Sequence, residues 1–160
     1  MATPQNRPDL TLQIRRTFAA PREKVFAAWT ERDQLEKWMC KDVASHSVIH
    51  HELDVRAGGR YRMEVRDSER GEVYWGQGVY REVKPPEKLV FSWAWTKDKP
   101  DGASLHPNDP ETVVTVEFFA RGNSTEVVLT HTLFATAPVR DMTDVGWNGC
   151  FDVLEQVLKA

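Results

Sequence analysis

Three histidines lie close together at His46, His50 and His51, and Asp54 follows them. Imidazoles beside a carboxylate are donors that a zinc-type site uses. In an extended chain, however, His50 and His51 point to opposite faces, so at most one of them joins His46 on a given side. The spacing matches no specific metal motif, and neither a metal nor a cofactor is expected. His131 shares its parity with Val127 and Leu129, which places an imidazole among apolar side chains where it needs a partner or a water. A hydrogen-bonded core histidine is the plainer reading, and a ligand contact or acid-base group is the other. Arg16 falls between Ile14 and Phe18 on an apolar face, so its guanidinium calls for a carboxylate or a bound anion. A structural ion pair is the simpler outcome. Of the six tryptophans, Trp29 and Trp38 read as core packing, while Trp93, Trp95 and Trp147 fit the lining of a pocket as well as its filling.

Templates for other chemistries are missing. The chain has no glycine-rich phosphate loop, no Gly-x-Ser-x-Gly elbow and no paired-cysteine metal site. An acid-base enzyme built from scattered polar groups stays open, with His131 and either Arg16 or Asp144 as its candidate set. The balance of 21 Lys and Arg against 24 Asp and Glu gives a net charge of -3, with no basic field to attract nucleic acid or anionic lipid. No apolar run approaches the roughly 20 residues a membrane-spanning helix needs, so membrane insertion is not expected. Cys40 and Cys150 stand too far apart to suggest a disulfide framework, and a reducing cytoplasm suits them. Met1 to Asp9 is polar with two prolines and lacks the pattern of a secretory signal. It reads as a flexible segment ahead of a single domain over 10–160, because 160 residues suit one core better than two.

The elements that must position these residues follow from periodicity. Leu12, Ile14, Arg16 and Phe18 share one face of a first strand. Pro21 suits a first helical position, with Val25, Phe26 and Trp29 on one helical face. Thr30 and Asp33 have the spacing of a capping pair for a second short helix carrying Leu35, Trp38 and Met39. Strands follow. Tyr61, Met63 and Val65 alternate with charged residues, as do Leu89, Phe91, Trp93 and Trp95 with smaller ones. Over Glu72 to Val83 apolar residues occupy both parities, which leaves the facing undecided, and Gly76 and Gly78 suggest a bulge or a close backbone approach. Lys97 to Pro110 is polar, proline-rich and long for a hairpin connection, as a mobile lid over a ligand entry would be. Val114, Val116 and Phe118 run to a Gly122-Asn123 turn, and Val127, Leu129, His131 and Leu133 return. After Pro138 a helical stripe carries Met142, Val145, Gly146, Gly149, Cys150, Val153 and Val157, with Trp147, Phe151, Leu154 and Leu158 beside it. Two interior glycines each cost about 1 kcal/mol relative to alanine, so a close approach or a needed hollow should offset them. The sum is an α+β fold: a curved antiparallel sheet of six or seven strands, two short helices and a long C-terminal helix that the sheet grips.

The run Arg16-Thr17-Phe18-Ala19-Ala20-Pro21, continuing through Val25-Phe26 and Trp29 to Leu35 and Trp38, resembles the opening of the SRPBCC superfamily. Within it the chain looks most like the family named for activator of heat-shock protein 90 ATPase homologue 1. Asp54-Val55-Arg56-Ala57-Gly58-Gly59, then Val83-Lys84-Pro85-Pro86-Glu87-Lys88-Leu89-Val90-Phe91, then Gly146-Trp147 continue the likeness over nearly the whole chain. The resemblance implies the helix-grip fold of the birch-pollen allergen and of steroidogenic lipid-transfer domains. It also implies a central cavity whose wall falls on Trp93, Trp95, Phe118, His131, Trp147 and Phe151, to which the inward Met63 and Arg16 are added. The expected partner is an apolar or aromatic small molecule. A homodimer, a chaperone-modulating contact in a stress response, and a cyclase- or isomerase-like reaction in the same cavity stand as alternatives.

Overall fold

The alternating segments pair into one antiparallel sheet of seven strands in the order β1-β7-β6-β5-β4-β3-β2. The computed structural model describes residues 10–96 and 111–159, so the expected flexible segment 1–9 and the expected entry loop Lys97 to Pro110 lie outside the described residues. The strands are β1 (Leu12–Phe18), β2 (His46–Leu53), β3 (Arg60–Asp67), β4 (Glu72–Lys84), β5 (Lys88–Thr96), β6 (Thr112–Arg121) and β7 (Ser124–Thr132). Helices α1 (Arg22–Thr30) and α2 (Arg32–Trp38) carry the chain from β1 at one edge to β2 at the other, and α3 (Ala137–Lys159) ends it. Among the described residues no helix is long and apolar enough to cross a membrane.

Register explains the dry face. Ile14 stands opposite Leu129, Leu129 opposite Val116 and Val116 opposite Leu89, which draws one apolar row across four strands. A parallel row joins Arg16, Val127 and Phe118. On β4 the apolar residues at both parities have two sources: Val73 and Trp75 are apolar residues of the outer face, and a register shift between Tyr80 and Glu82 moves the inward parity to Val83. Before the bulge the inward series runs through Tyr74, Gly76, Gly78 and Tyr80; after it Val83 takes over, opposite the buried Leu89. The close approach expected of the glycines is real at Gly78, where any Cβ would overlap the carbonyl oxygen of Ser92. Trp75 is thereby turned to the outer face, against His51.

Helix α3 packs on β1 and α2. Its buried stripe is Trp147, Cys150, Phe151, Leu154 and Leu158, spaced as one helical face. Four expectations need correction. Met142 and Val145 are 75% and 74% exposed rather than inward: Met142 borders the open cavity where α3 stands off the sheet, and Val145 lies on the helix face turned away from the buried stripe. Leu133 is also exposed, since β7 ends at Thr132 and the backbone there turns into the left-handed region. Pro21 caps α1 from outside, with extended backbone, and its carbonyl accepts from Lys24 and Val25. Thr30 does not cap α2: it closes α1 by donating to the Phe26 carbonyl, and Glu31 stands at the N-cap with no side-chain bond.

Candidate ligand cavity

Where α3 stands off the sheet it leaves a cavity of about 370 Å³, within the size range of small-molecule sites. Three elements wall it. The sheet contributes Val65, Tyr74, Trp93 and Trp95; α3 contributes Val139, Met142, Thr143, Gly146, Trp147 and Cys150; the segment after α2 contributes Met39, Cys40 and Asp42, and His46 and His131 reach the wall from β2 and β7. The helix glycines act differently here. A Cβ on Gly149 would lie 2.6 Å from Cβ of Asp42, so Gly149 lets the α2–β2 segment close on the helix. At Gly146 the nearest atom to such a Cβ is Asp42 Oδ2 at 3.8 Å, and the missing side chain is cavity space.

His131 is 2% exposed and hydrogen-bonded at both nitrogens. An indole N–H can only donate, so Trp147 Nε1 fixes His131 Nδ1 as the acceptor, at 3.1 Å. The ring proton then sits on Nε2 and is donated to Thr112 Oγ1 at 2.7 Å, and that hydroxyl donates to the Trp93 carbonyl at 3.0 Å. Burial lowers the imidazole to a pKa of about 3, so it is neutral at ordinary pH. This chain ties together Trp147 and the backbone of Trp93, two walls of the cavity. The core-histidine reading of the sequence is the one the geometry realises.

The α2–β2 segment is braced separately. His46 Nδ1 donates to the Cys40 carbonyl at 3.2 Å, and its Nε2 lies 3.4 Å from Asp67 Oδ2. Burial pushes the Asp67 carboxyl up, but donation from Ser45 Oγ and the N–H groups of Arg70 and Glu69 outweighs it and leaves the group below its ordinary range. Cys40 and Cys150 are both buried and free. Burial, with Asp42 nearby, pushes the Cys150 thiol up to about 12 despite N–H groups of the segment directed at its sulfur, and burial also raises Cys40. Both are protonated thiols.

Of the eight expected ligand-binding residues, four meet on the cavity wall: Trp93, Trp95, His131 and Trp147. The other four lie elsewhere. Phe118 packs edge-on against Phe26 and Trp29, and Phe151 against Phe18, Trp29 and Trp38, because α1 and α2 fill that end of the grip. Met63 lies deeper, beside a void of about 20 Å³ that has room for a single water. Arg16 bonds Asp152 Oδ1 at 2.7 Å and Asn148 Oδ1 at 3.2 Å over the Phe151 ring, which is the structural ion pair. Asp144 bonds Asn148, so the set of His131 with Arg16 or Asp144 is not assembled around one point. Nor do the clustered histidines converge. His46 faces Asp67, the buried His50 faces Glu36, and His51 bonds Glu64 at 2.8 Å on the outer face; Asp54 pairs with Arg56. No group of three metal donors occurs among the described residues. Sequence reasoning missed Cys40 and Asp42, which sit in an aperiodic segment, and Tyr74, whose parity was hidden by the apolar Val73 and Trp75 on either side of it.

A family model, described as activator of Hsp90 ATPase homolog 1-like protein, matches residues 19–159. The chain belongs to this family. Its fold is therefore that of the SRPBCC superfamily, as the seven-stranded sheet gripping α3 already indicates. No curated protein matches the sequence. Solved structures similar to this family member include a Chromobacterium violaceum protein (19% identity, 94% of this chain and 98% of that one, TM-score 0.79). Another is a Mycobacterium smegmatis protein (21%, 94% and 91%, TM-score 0.76). The AHSA1-like protein from Aeromonas hydrophila is a third (19%, 93% and 92%, TM-score 0.72). At such identities the likeness establishes the fold.

Proposed function

We propose that the protein binds an apolar or aromatic small molecule in the cavity between α3 and the sheet. The observation that carries this reading is a hollow of about 370 Å³ walled by the rings of Trp93, Trp95, Trp147 and Tyr74. Several polar wall groups are already committed to protein partners: His131 to Trp147 and Thr112, Tyr74 to Glu72, and Thr143 to the Val139 carbonyl. Burying an apolar ligand against such walls costs little polar desolvation. Binding, rather than catalysis, is the activity the wall supports.

The test is a titration with neutral naphthylmethanol, followed by tryptophan fluorescence and by native mass spectrometry. Saturable quenching with a one-to-one adduct is expected, and Gly146→Leu, which fills the hollow, should weaken binding at least about tenfold, since roughly 1.4 kcal/mol of lost contact suffices. No saturable change in the unmodified chain would sink the reading. A chaperone-modulating contact would instead use exposed apolar residues such as Met142 and Val145, and retention of the chaperone in a pull-down would favour it.

A further inference from the structure

Asp42 is the carboxylate among the described wall residues, whose other polar side chains, His46, His131, Tyr74 and Thr143, are bonded to protein partners. Its side chain is 27% exposed, and Gly149 fixes its position by allowing backbone and Cβ of Asp42 to close on α3. Oδ1 accepts the Cys150 thiol at 3.8 Å and lies 4.0 Å from His46 Nδ1. Oδ2 lies beside Gly146 at the hollow, and no described residue donates a hydrogen bond to it. Among the described residues that line the cavity there is neither lysine nor arginine. Arg70, at the β3–β4 turn, and Arg140, on α3, are paired with Asp67 and Asp141. Behind the wall stand two further carboxylates, Asp67 against His46 and Glu72 against the Tyr74 hydroxyl.

The rings add to this bias. An aromatic face is the negative end of a quadrupole and attracts a cation within about 6 Å of its centroid. Trp147 has its N–H committed to His131 and Tyr74 its O–H to Glu72, so both offer the cavity their ring surface rather than their donors. Trp93 meets Trp147 at 5.6 Å and Trp95 at 5.4 Å between centroids, both nearly edge to face, which turns ring faces in several directions around one space.

We infer that the cavity selects ligands with an apolar or aromatic body and a protonated amine, the amine paired with Asp42 and bordered by the rings, and that it discriminates against carboxylates of the same skeleton. This rests on the binding reading above and names its ligand class. A carboxylate would meet Asp42 with no compensating lysine or arginine among the described wall residues, whereas an ammonium gains both an ion pair and cation–π contact in a partly desolvated setting.

The test compares naphthylmethylamine, naphthylmethanol and naphthylacetate at neutral pH by calorimetry on the unmodified chain and on Asp42→Asn. The amine should bind at least about tenfold tighter than the alcohol, the carboxylate weakest, and Asp42→Asn should bring amine and alcohol level. If the alcohol binds and the amine is no tighter, or the carboxylate is preferred, the amine inference is overturned and the binding reading stands. Should none of the three bind, both fall. The order of the three probes on the unmodified chain decides the matter even if Asp42→Asn does not fold.

Discussion

His131 has both ring nitrogens satisfied inside the protein, and removing it would orphan the indole N–H of Trp147 and take from the Thr112 oxygen the bond it accepts, while the Thr112 hydroxyl keeps its bond to the Trp93 carbonyl. One unpaired buried donor costs about 1–3 kcal/mol and one lost hydrogen bond about 1 kcal/mol, so His131→Leu should lower stability at neutral pH by about 2–4 kcal/mol in urea unfolding. The pH dependence is more diagnostic. Because the folded pKa of about 3 lies below the ordinary 6.5, the unfolded chain binds the extra proton between those values. The stabilisation is complete above about pH 6.5 and is lost as pH falls toward 3. The gap between the unmodified chain and His131→Leu should therefore shrink by about 2–3 kcal/mol from pH 7 to pH 4. A gap that stayed constant would mean His131 is not held neutral. The parity of His131 with Val127 and Leu129 announced burial and the need for a partner. It could not name Thr112 or Trp147, which reach the ring from β6 and α3, since alternation reports a face and not the neighbour across it. Arg16 was legible to the same depth: its ion pair followed from its place between Ile14 and Phe18, and the identity of Asp152 did not.

At the scale of elements, α3 shows where a helical stripe informs and where it misleads. The stripe located the gripped helix, but the helix leaves the sheet before Gly146, and no periodicity records the angle at which two elements diverge. Met142 looks like core on a wheel and is exposed for that reason, while Val145 is exposed because the helix buries the neighbouring stripe through Trp147, Phe151, Leu154 and Leu158. The two glycines looked equivalent too. Gly149→Ala would drive a methyl group to 2.6 Å from Asp42 Cβ, forcing the α2–β2 segment outward, and should destabilise the fold by about 1–3 kcal/mol despite the better helix propensity of alanine. Gly146→Ala meets nothing closer than 3.8 Å and should stabilise by up to about 1 kcal/mol. Opposite signs in paired denaturation curves are the expected result, and a shared sign would contradict the packing described. In β4 the same limit applies: one register shift moved inward residues from one parity to the other, and a bulge leaves only a blurred alternation in the sequence.

Across the molecule, the grip is divided into a filled end and a hollow end. Phe18, Phe118, Phe151, Trp29 and Trp38 close the end under α1 and α2, where ring meets ring edge-on and no side chain among these is more than 2% exposed. The other end, bounded by β3, β4 and β5, is kept open by Gly146 and by the departure of α3. Stability and binding should then separate by position. Phe118→Leu removes ring contacts to Phe26 and Trp29 in the filled end and should cost about 1–2 kcal/mol of unfolding free energy while leaving naphthylmethanol affinity within about twofold. Gly146→Leu should do the reverse, keeping stability within about 1 kcal/mol because glycine is the poorer helix former, while binding drops at least about tenfold. Measuring unfolding and titration on both variants gives four numbers whose pattern is the test. If Phe118→Leu weakened the probe as much as Gly146→Leu did, the ligand would reach the filled end, and the wall would have to be redrawn to include the Phe118 that family resemblance first placed there.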